Sequence, residues 1–92
     1  MGTKRDRLEI IYDILHVIQE KGEKIRPTHI LYKSNLSHQM LTAYMTELIG
    51  KKFVEERSDK KGKKSFALTV KGFNYLKDYS VIRGFTESYG LD

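Results

Sequence analysis

Apolar residues recur at Leu8, Ile11, Tyr12, Leu15 and Ile18, and a second set, Ile10, Ile14 and Val17, fills the gaps between them. At about 100° per residue the two sets cover more than half of a helical circumference. A narrow polar arc of Glu9, Asp13, His16 and Glu20 remains. The pattern predicts a helix over 8–21, with Gly22 as the residue that ends it. A surface helix needs one apolar stripe. This one is expected to be buried on two sides, either central in a domain or shared with a second subunit.

Beyond it, Glu23 to Arg26 reads as a short extended piece. Pro27 suits the first position of a helix, which runs through Lys33 with Ile30 and Leu31 inward. Ser34-Asn35-Leu36 is a turn whose leucine plugs the gap between two helices. Ser37 can cap the next helix, 37–50, which buries Leu41, Tyr44, Met45 and Leu48. Its other face carries Gln39, Thr42, Ala43 and Thr46, short and uncharged where Glu and Lys would be usual. Two strands follow, Phe53 to Arg57 and Ser65 to Leu68, with Phe66 and Leu68 on one side. Thr69 caps a last helix from Val70 to about Arg83, in which Phe73 and Leu76 serve the core. Gly84 is expected to interrupt it, and Phe85 to Asp92 form a tail without assigned structure.

Helix, turn, helix, strand, basic hairpin, strand, helix is the ground plan of a winged helix-turn-helix. The fold class is therefore α+β: a three-helix core, a two- to three-stranded antiparallel wing and a C-terminal helix. With 92 residues the chain forms one domain. Residues 4–68 make its body, 69–84 a C-terminal helix available for dimerisation, and 85–92 the tail.

Charge sharpens this picture. Of a net +5, residues 51–64 contribute +4, from seven cations against three acids. A local excess of this kind points to a polyanionic partner. The hairpin tip, Arg57 to Lys64, holds Lys60, Lys61, Lys63 and Lys64 around Gly62. In a helix-turn-helix the second helix lies in the major groove and its N-terminal half reaches base edges. Ser37, His38, Gln39, Thr42, Ala43 and Thr46 are the candidate readers. The wing lysines and Arg57, with Lys33 and Asn35 at the turn, are candidates for backbone contacts, which position without reading sequence. The plainer alternatives are a soluble lysine-rich turn and ordinary surface threonines.

No cysteine is present, so disulfides and thiolate metal sites are excluded. His16, His29 and His38 show no metal-ligand spacing, and no cofactor or small-molecule ligand is indicated. No phosphate loop or nucleophile elbow occurs, so an enzyme is not expected. The apolar runs are too short for a membrane span, the basic N-terminus is followed by no signal-peptide core, and a cytoplasmic, nucleoid-associated location is the default. A protein-interaction module is the rival reading, since fold does not fix function. RNA binding is a third, weakened because no aromatic residue is interleaved among the wing lysines.

Three segments carry a family resemblance: Lys4 to Leu15, the turn Leu31-Tyr32-Lys33-Ser34-Asn35-Leu36-Ser37, and Phe66 to Gly72. Over about residues 4–83 the chain resembles the small archaeal winged-helix DNA-binding proteins, a group of transcriptional regulators and abundant chromatin-type proteins. The resemblance implies double-stranded DNA as partner, with sequence-tolerant or regulatory binding, and a homodimer. In relatives with a long last helix that helix forms an antiparallel coiled coil. Here Gly84 is expected to leave a shorter helical interface. The residue pattern points the same way: Tyr75, Tyr79 and Ile82 form a second stripe at helical spacing, extended by Phe85 and Tyr89. The alternative is a tail that folds back and covers this stripe within one chain.

Overall fold

The computed structural model describes residues 5–22 and 25–91. The order is α1 (Arg7–Lys21), α2 (Pro27–Ser34), α3 (His38–Gly50), β1 (Val54–Ser58), β2 (Lys64–Leu68) and α4 (Val70–Ser88).

Three of the four helices start where a short polar side chain satisfies an orphan amide. Asp6 accepts from the Glu9 amide of α1, Ser37 from Met40 of α3, and Thr69 from Gly72 of α4. Helix α2 has no side-chain cap and begins on Pro27, whose missing N–H removes one donor that would need a partner. Asn35 ends α2 in the left-handed region, φ 56° and ψ 46°, which asparagine tolerates better than most residues.

α1 is the centre of the domain. Ile10, Ile11, Ile14, Leu15, Val17 and Ile18 are all buried, because α2, α4 and β2 pack around it. Apart from Leu8, which is 53 % exposed, its double apolar face is thus covered within one chain. Ile25, Ile30, Leu41, Met45, Leu48, Val54, Phe66 and Leu76 complete the core. The antiparallel β1–β2 pair runs from Val54 opposite Leu68 to Ser58 opposite Lys64. Ile25 bridges to Phe66 as a one-residue third strand. This is the extended piece expected over 23–26, of which residues 23 and 24 lie outside the described residues, as do residues 1–4 and 92.

Two expectations need correction. α4 does not stop near Arg83 but continues through Gly84 to Ser88. A glycine inside a helix costs only about 1 kcal/mol relative to alanine, and Phe85 and Tyr89, one turn apart, pack with ring centroids 5.0 Å apart. Phe73 is not in the core: it is 48 % exposed, over a shallow hollow formed with Ile18 and Leu68. Leu76, three residues on, is buried.

The entry to α4 is fixed by close packing. The Thr69 hydroxyl reaches the carbonyl oxygens of Lys52 and Phe53, at 2.6 and 3.2 Å. A Cβ at Gly72 would lie 2.5 Å from the Phe53 carbonyl oxygen, so only glycine lets the helix approach this closely.

Candidate nucleic-acid interface

The α2–turn–α3 unit is held from below. Leu41, Met45 and Leu48 are buried, with Tyr44 and the turn residue Leu36 packed against the core. The Ser34 hydroxyl, the one buried polar side chain among the described residues, donates to the Ile30 carbonyl at 2.5 Å. What remains outward on α3 is Gln39, Thr42, Ala43 and Thr46, all exposed, together with His38 and Met40. The threonines are not idle. Thr42 donates to the His38 carbonyl and Thr46 to the Thr42 carbonyl, each at 2.9 Å. Their hydroxyl protons are therefore occupied. What they offer outward is a methyl group and oxygen lone pairs, which fit a thymine methyl or an amino donor of a base edge. Ser37 is engaged as the α3 cap, accepting from Met40 at 3.1 Å.

The one acid of α3, Glu47, sits at the other end of the helix and is neutralised in place. It pairs with Arg7 at the start of α1 and with Lys51 at 2.7 Å. Hydrogen bonds from Arg7 and then Lys51 hold its carboxyl down to about 2. The Arg7–Glu47 pair ties α3 to α1, a connection across 40 positions with no signature in the sequence.

The wing is shaped by its own acid. Asp59 Oδ1 accepts from the amides of Lys61 and Lys63 at 2.8 and 3.0 Å, while Gly62 takes φ 77°. These bonds, the one from the Lys63 amide foremost, hold the Asp59 carboxyl below its ordinary range. Lys60, Lys61 and Lys63 are exposed around this turn. The two cations at the hairpin base differ from them. Lys64 pairs with Glu56 at 3.5 Å and Arg57 with Glu55 at 3.3 Å. Among the described residues, no ion pair engages Lys60, Lys61 or Lys63 at the tip.

One relationship joins wing and helix. A cleft of about 350 Å³ is lined by His38, Thr42 and Thr46 of α3 on one side and by Glu56, Lys64 and Phe66 of the hairpin on the other. Its floor is apolar, from Ile30, Leu41, Met45 and Ile49. Thr42 and Thr46 of the polar helical face thus border the same opening as the base of the wing, whereas Gln39, Ala43 and the tip lysines Lys60, Lys61 and Lys63 are not part of its lining. Pro27 and Thr28 of α2 complete the rim. One turn beyond Thr28, Tyr32 is 84 % exposed. Lys33 and Asn35 are exposed, and the backbone of Asn35 forms the left-handed turn, its carbonyl accepting from Arg5 at 3.2 Å.

The four residues expected on a dimer face separate into two pairs. Tyr75 and Tyr79 face the domain's own body. The Tyr75 ring meets Phe53 edge-on at 5.8 Å, and Tyr79 packs against Tyr12 at 5.0 Å. Ile82 and Phe85 are 57 % and 60 % exposed, and Val81, Tyr89 and Leu91 are exposed beside them. Among the described residues no helix is long and apolar enough to cross a membrane, and no group of three or more His, Asp or Glu is gathered for a metal ion.

Residues 4–87 match the winged helix-turn-helix family. An uncharacterized protein of Methanocaldococcus jannaschii is 41 % identical over 69 residues, which is 75 % of this chain and 64 % of the relative. The matched part thus spans just under two thirds of that relative's length. Among solved structures, the DNA-binding protein Sso10a-2 of Sulfolobus solfataricus superposes with a TM-score of 0.74 at 20 % identity, covering 94 % of this chain and 90 % of that one. The SSV1 protein F-93 does so with 0.69 at 24 % identity, covering 95 % and 98 %. A winged-helix DNA-binding protein from STIV gives 0.65 at 25 % identity, covering 90 % and 92 %. The chain belongs to the winged helix-turn-helix family.

Proposed function

We propose that this winged helix-turn-helix protein binds double-stranded DNA as a homodimer and acts as a transcriptional regulator or nucleoid-type protein. One observation carries the reading: the uncharged face of α3 and the base of the cationic hairpin line a single cleft, so one duplex can meet both. Helix α3 enters the major groove, where Gln39 pairs with adenine and Thr42, Ala43 and Thr46 meet methyl and amino groups. Lys60, Lys61 and Lys63 lie along the adjacent phosphates, with Lys33 on the flanking backbone. Affinity comes chiefly from counterion release and falls steeply with salt. Relatives described as DNA-binding proteins share the fold.

The dimer contact is assigned to the open apolar row of Ile82, Phe85 and Tyr89 on α4. Two copies brought together there by a two-fold axis would present two α3 helices, as a symmetric DNA site requires. A purely protein-binding role is disfavoured by the polarity of the outward face of α3, where Met40 is the one large apolar side chain exposed.

A mobility-shift titration on random and genomic duplex at two salt concentrations tests the reading. Shift at low salt with a steep loss at high salt is expected. Absence of any shift at low salt would remove DNA as the partner.

A further inference from the structure

The wing is not a free hairpin. Arg26, the residue before α2, sends Nη1 to the carbonyl oxygen of Lys64 at 3.1 Å and Nη2 to Asp59 Oδ2 at 3.6 Å. Both partners belong to the wing, more than thirty positions further along the chain. The local sequence explains the aim of this side chain. A residue before proline is driven to extended backbone, and Arg26 has φ −97° and ψ 154°. Ile25 beside it is bridged to Phe66 of β2, so Arg26 emerges at the edge of the hairpin. The guanidinium is a rigid planar donor, suited to holding two acceptors at once.

Asp59 is the informative partner. An acid in a phosphate-binding tip opposes its function, yet this one is the centre of the turn. Oδ1 is filled by the Lys61 and Lys63 amides, and Oδ2 faces Arg26. The carboxylate therefore links the fold of the tip to the helix-turn-helix body. We infer that Arg26 is a positioning residue for DNA binding: through Asp59 and the Lys64 carbonyl it fixes the cationic wing at a set angle to α2 and α3. The inference rests on the DNA-binding reading given above. In the uncomplexed chain it reduces wing motion, and less conformational entropy is then lost when the lysines meet phosphate.

Arg26→Gln and Asp59→Asn separate this role from a plain charge effect. Asparagine keeps an oxygen for the two backbone amides but sets an amide nitrogen opposite Arg26. Backbone ¹⁵N order parameters for residues 58–64 should fall in both variants, from a rigid value of about 0.85 towards about 0.6, while those of α3 stay unchanged. Arg26→Gln should bind duplex about two- to fivefold more weakly, the range of an exposed ion pair. Asp59→Asn should gain no affinity, although it adds net positive charge to the wing. If Arg26 merely touched phosphate, wing order would be unaltered in Arg26→Gln and Asp59→Asn would bind more tightly; either result overturns the inference. If the parent chain itself fails to bind duplex at low salt, the DNA reading fails, and the order parameters still decide whether Arg26 holds the wing.

Discussion

The hydroxyl of Tyr75, near the start of α4, donates to the carbonyl oxygen of Leu8, in the first turn of α1, at 2.6 Å. It joins residues 67 positions apart and ties the C-terminal helix to the start of α1. Burial pushes the Tyr75 phenol up to about 12 from an ordinary 10. Below pH 10 folded and unfolded chains both keep the proton. Between 10 and 12 the unfolded chain releases it first, so stability falls as pH rises through that window. Tyr75→Phe should lower stability by about 0.5–1.5 kcal/mol at neutral pH and flatten the alkaline decline, as followed by urea denaturation across pH.

Glu47 gives the opposite sign. Its folded carboxyl lies at about 2 against an ordinary 4.5, so the contribution is complete above pH 4.5 and is lost as pH falls towards 2. In Glu47→Gln the melting temperature should depend less on pH between 4.5 and 2 than in the parent. An unchanged acid profile would show that the Arg7 and Lys51 contacts do not persist in solution.

Two glycines of α4 should respond in opposite directions to alanine. At Gly72 the new methyl would meet the Phe53 carbonyl at 2.5 Å, and overpacking should cost about 1–3 kcal/mol. At Gly84 nothing lies within 4 Å, and helix propensity should raise stability by about 1 kcal/mol. Thermal denaturation of the two variants reads the difference directly.

For DNA, the two halves of the interface should separate by their salt dependence. Replacing Lys60, Lys61 and Lys63 with alanine should weaken binding to all sequences. The slope of log K against log salt should shrink by up to about 0.9 for each phosphate that is no longer neutralised. Thr42→Val keeps the shape and the methyl group but replaces the hydroxyl, with its outward lone pairs, by a second methyl. It should alter preference among duplexes and leave the slope as it was. A Thr42→Val protein with unaltered preference would exclude that residue as a base reader.

For assembly, Ile82→Glu with Phe85→Glu should halve the sedimenting mass without lowering the stability of the domain body. Tyr79→Glu is a different experiment, because that ring packs against Tyr12 within the chain. Its expected effect is destabilisation of the α1–α4 contact. Unchanged mass in the Ile82/Phe85 variant would rule out the proposed face.

What the sequence determined by itself was local. Caps at Ser37 and Thr69, the proline start of α2, the amphipathic faces of α1 and α3, and the glycine-bearing basic turn all follow from chemistry within a few residues of each position. That is why the order of elements and the polar face of α3 were readable in advance. The tertiary structure alone decided which apolar surfaces find each other. α1, apolar over most of its circumference, is satisfied by α2, α4 and β2 with no second subunit. Tyr75 and Tyr79 belong to the same stripe as Ile82, yet the geometry of α4 against α1 turns the first two inward and leaves Ile82 open. The same holds for charge. Lysine counting finds the wing, but whether a lysine is free or matched depends on strand register, which sets Lys64 beside Glu56. Arg26 reaches Asp59 only because the Ile25–Phe66 bridge brings the start of α2 to the hairpin edge. Contacts between residues distant in the chain depend on how whole elements pack, and no short window of sequence carries that information.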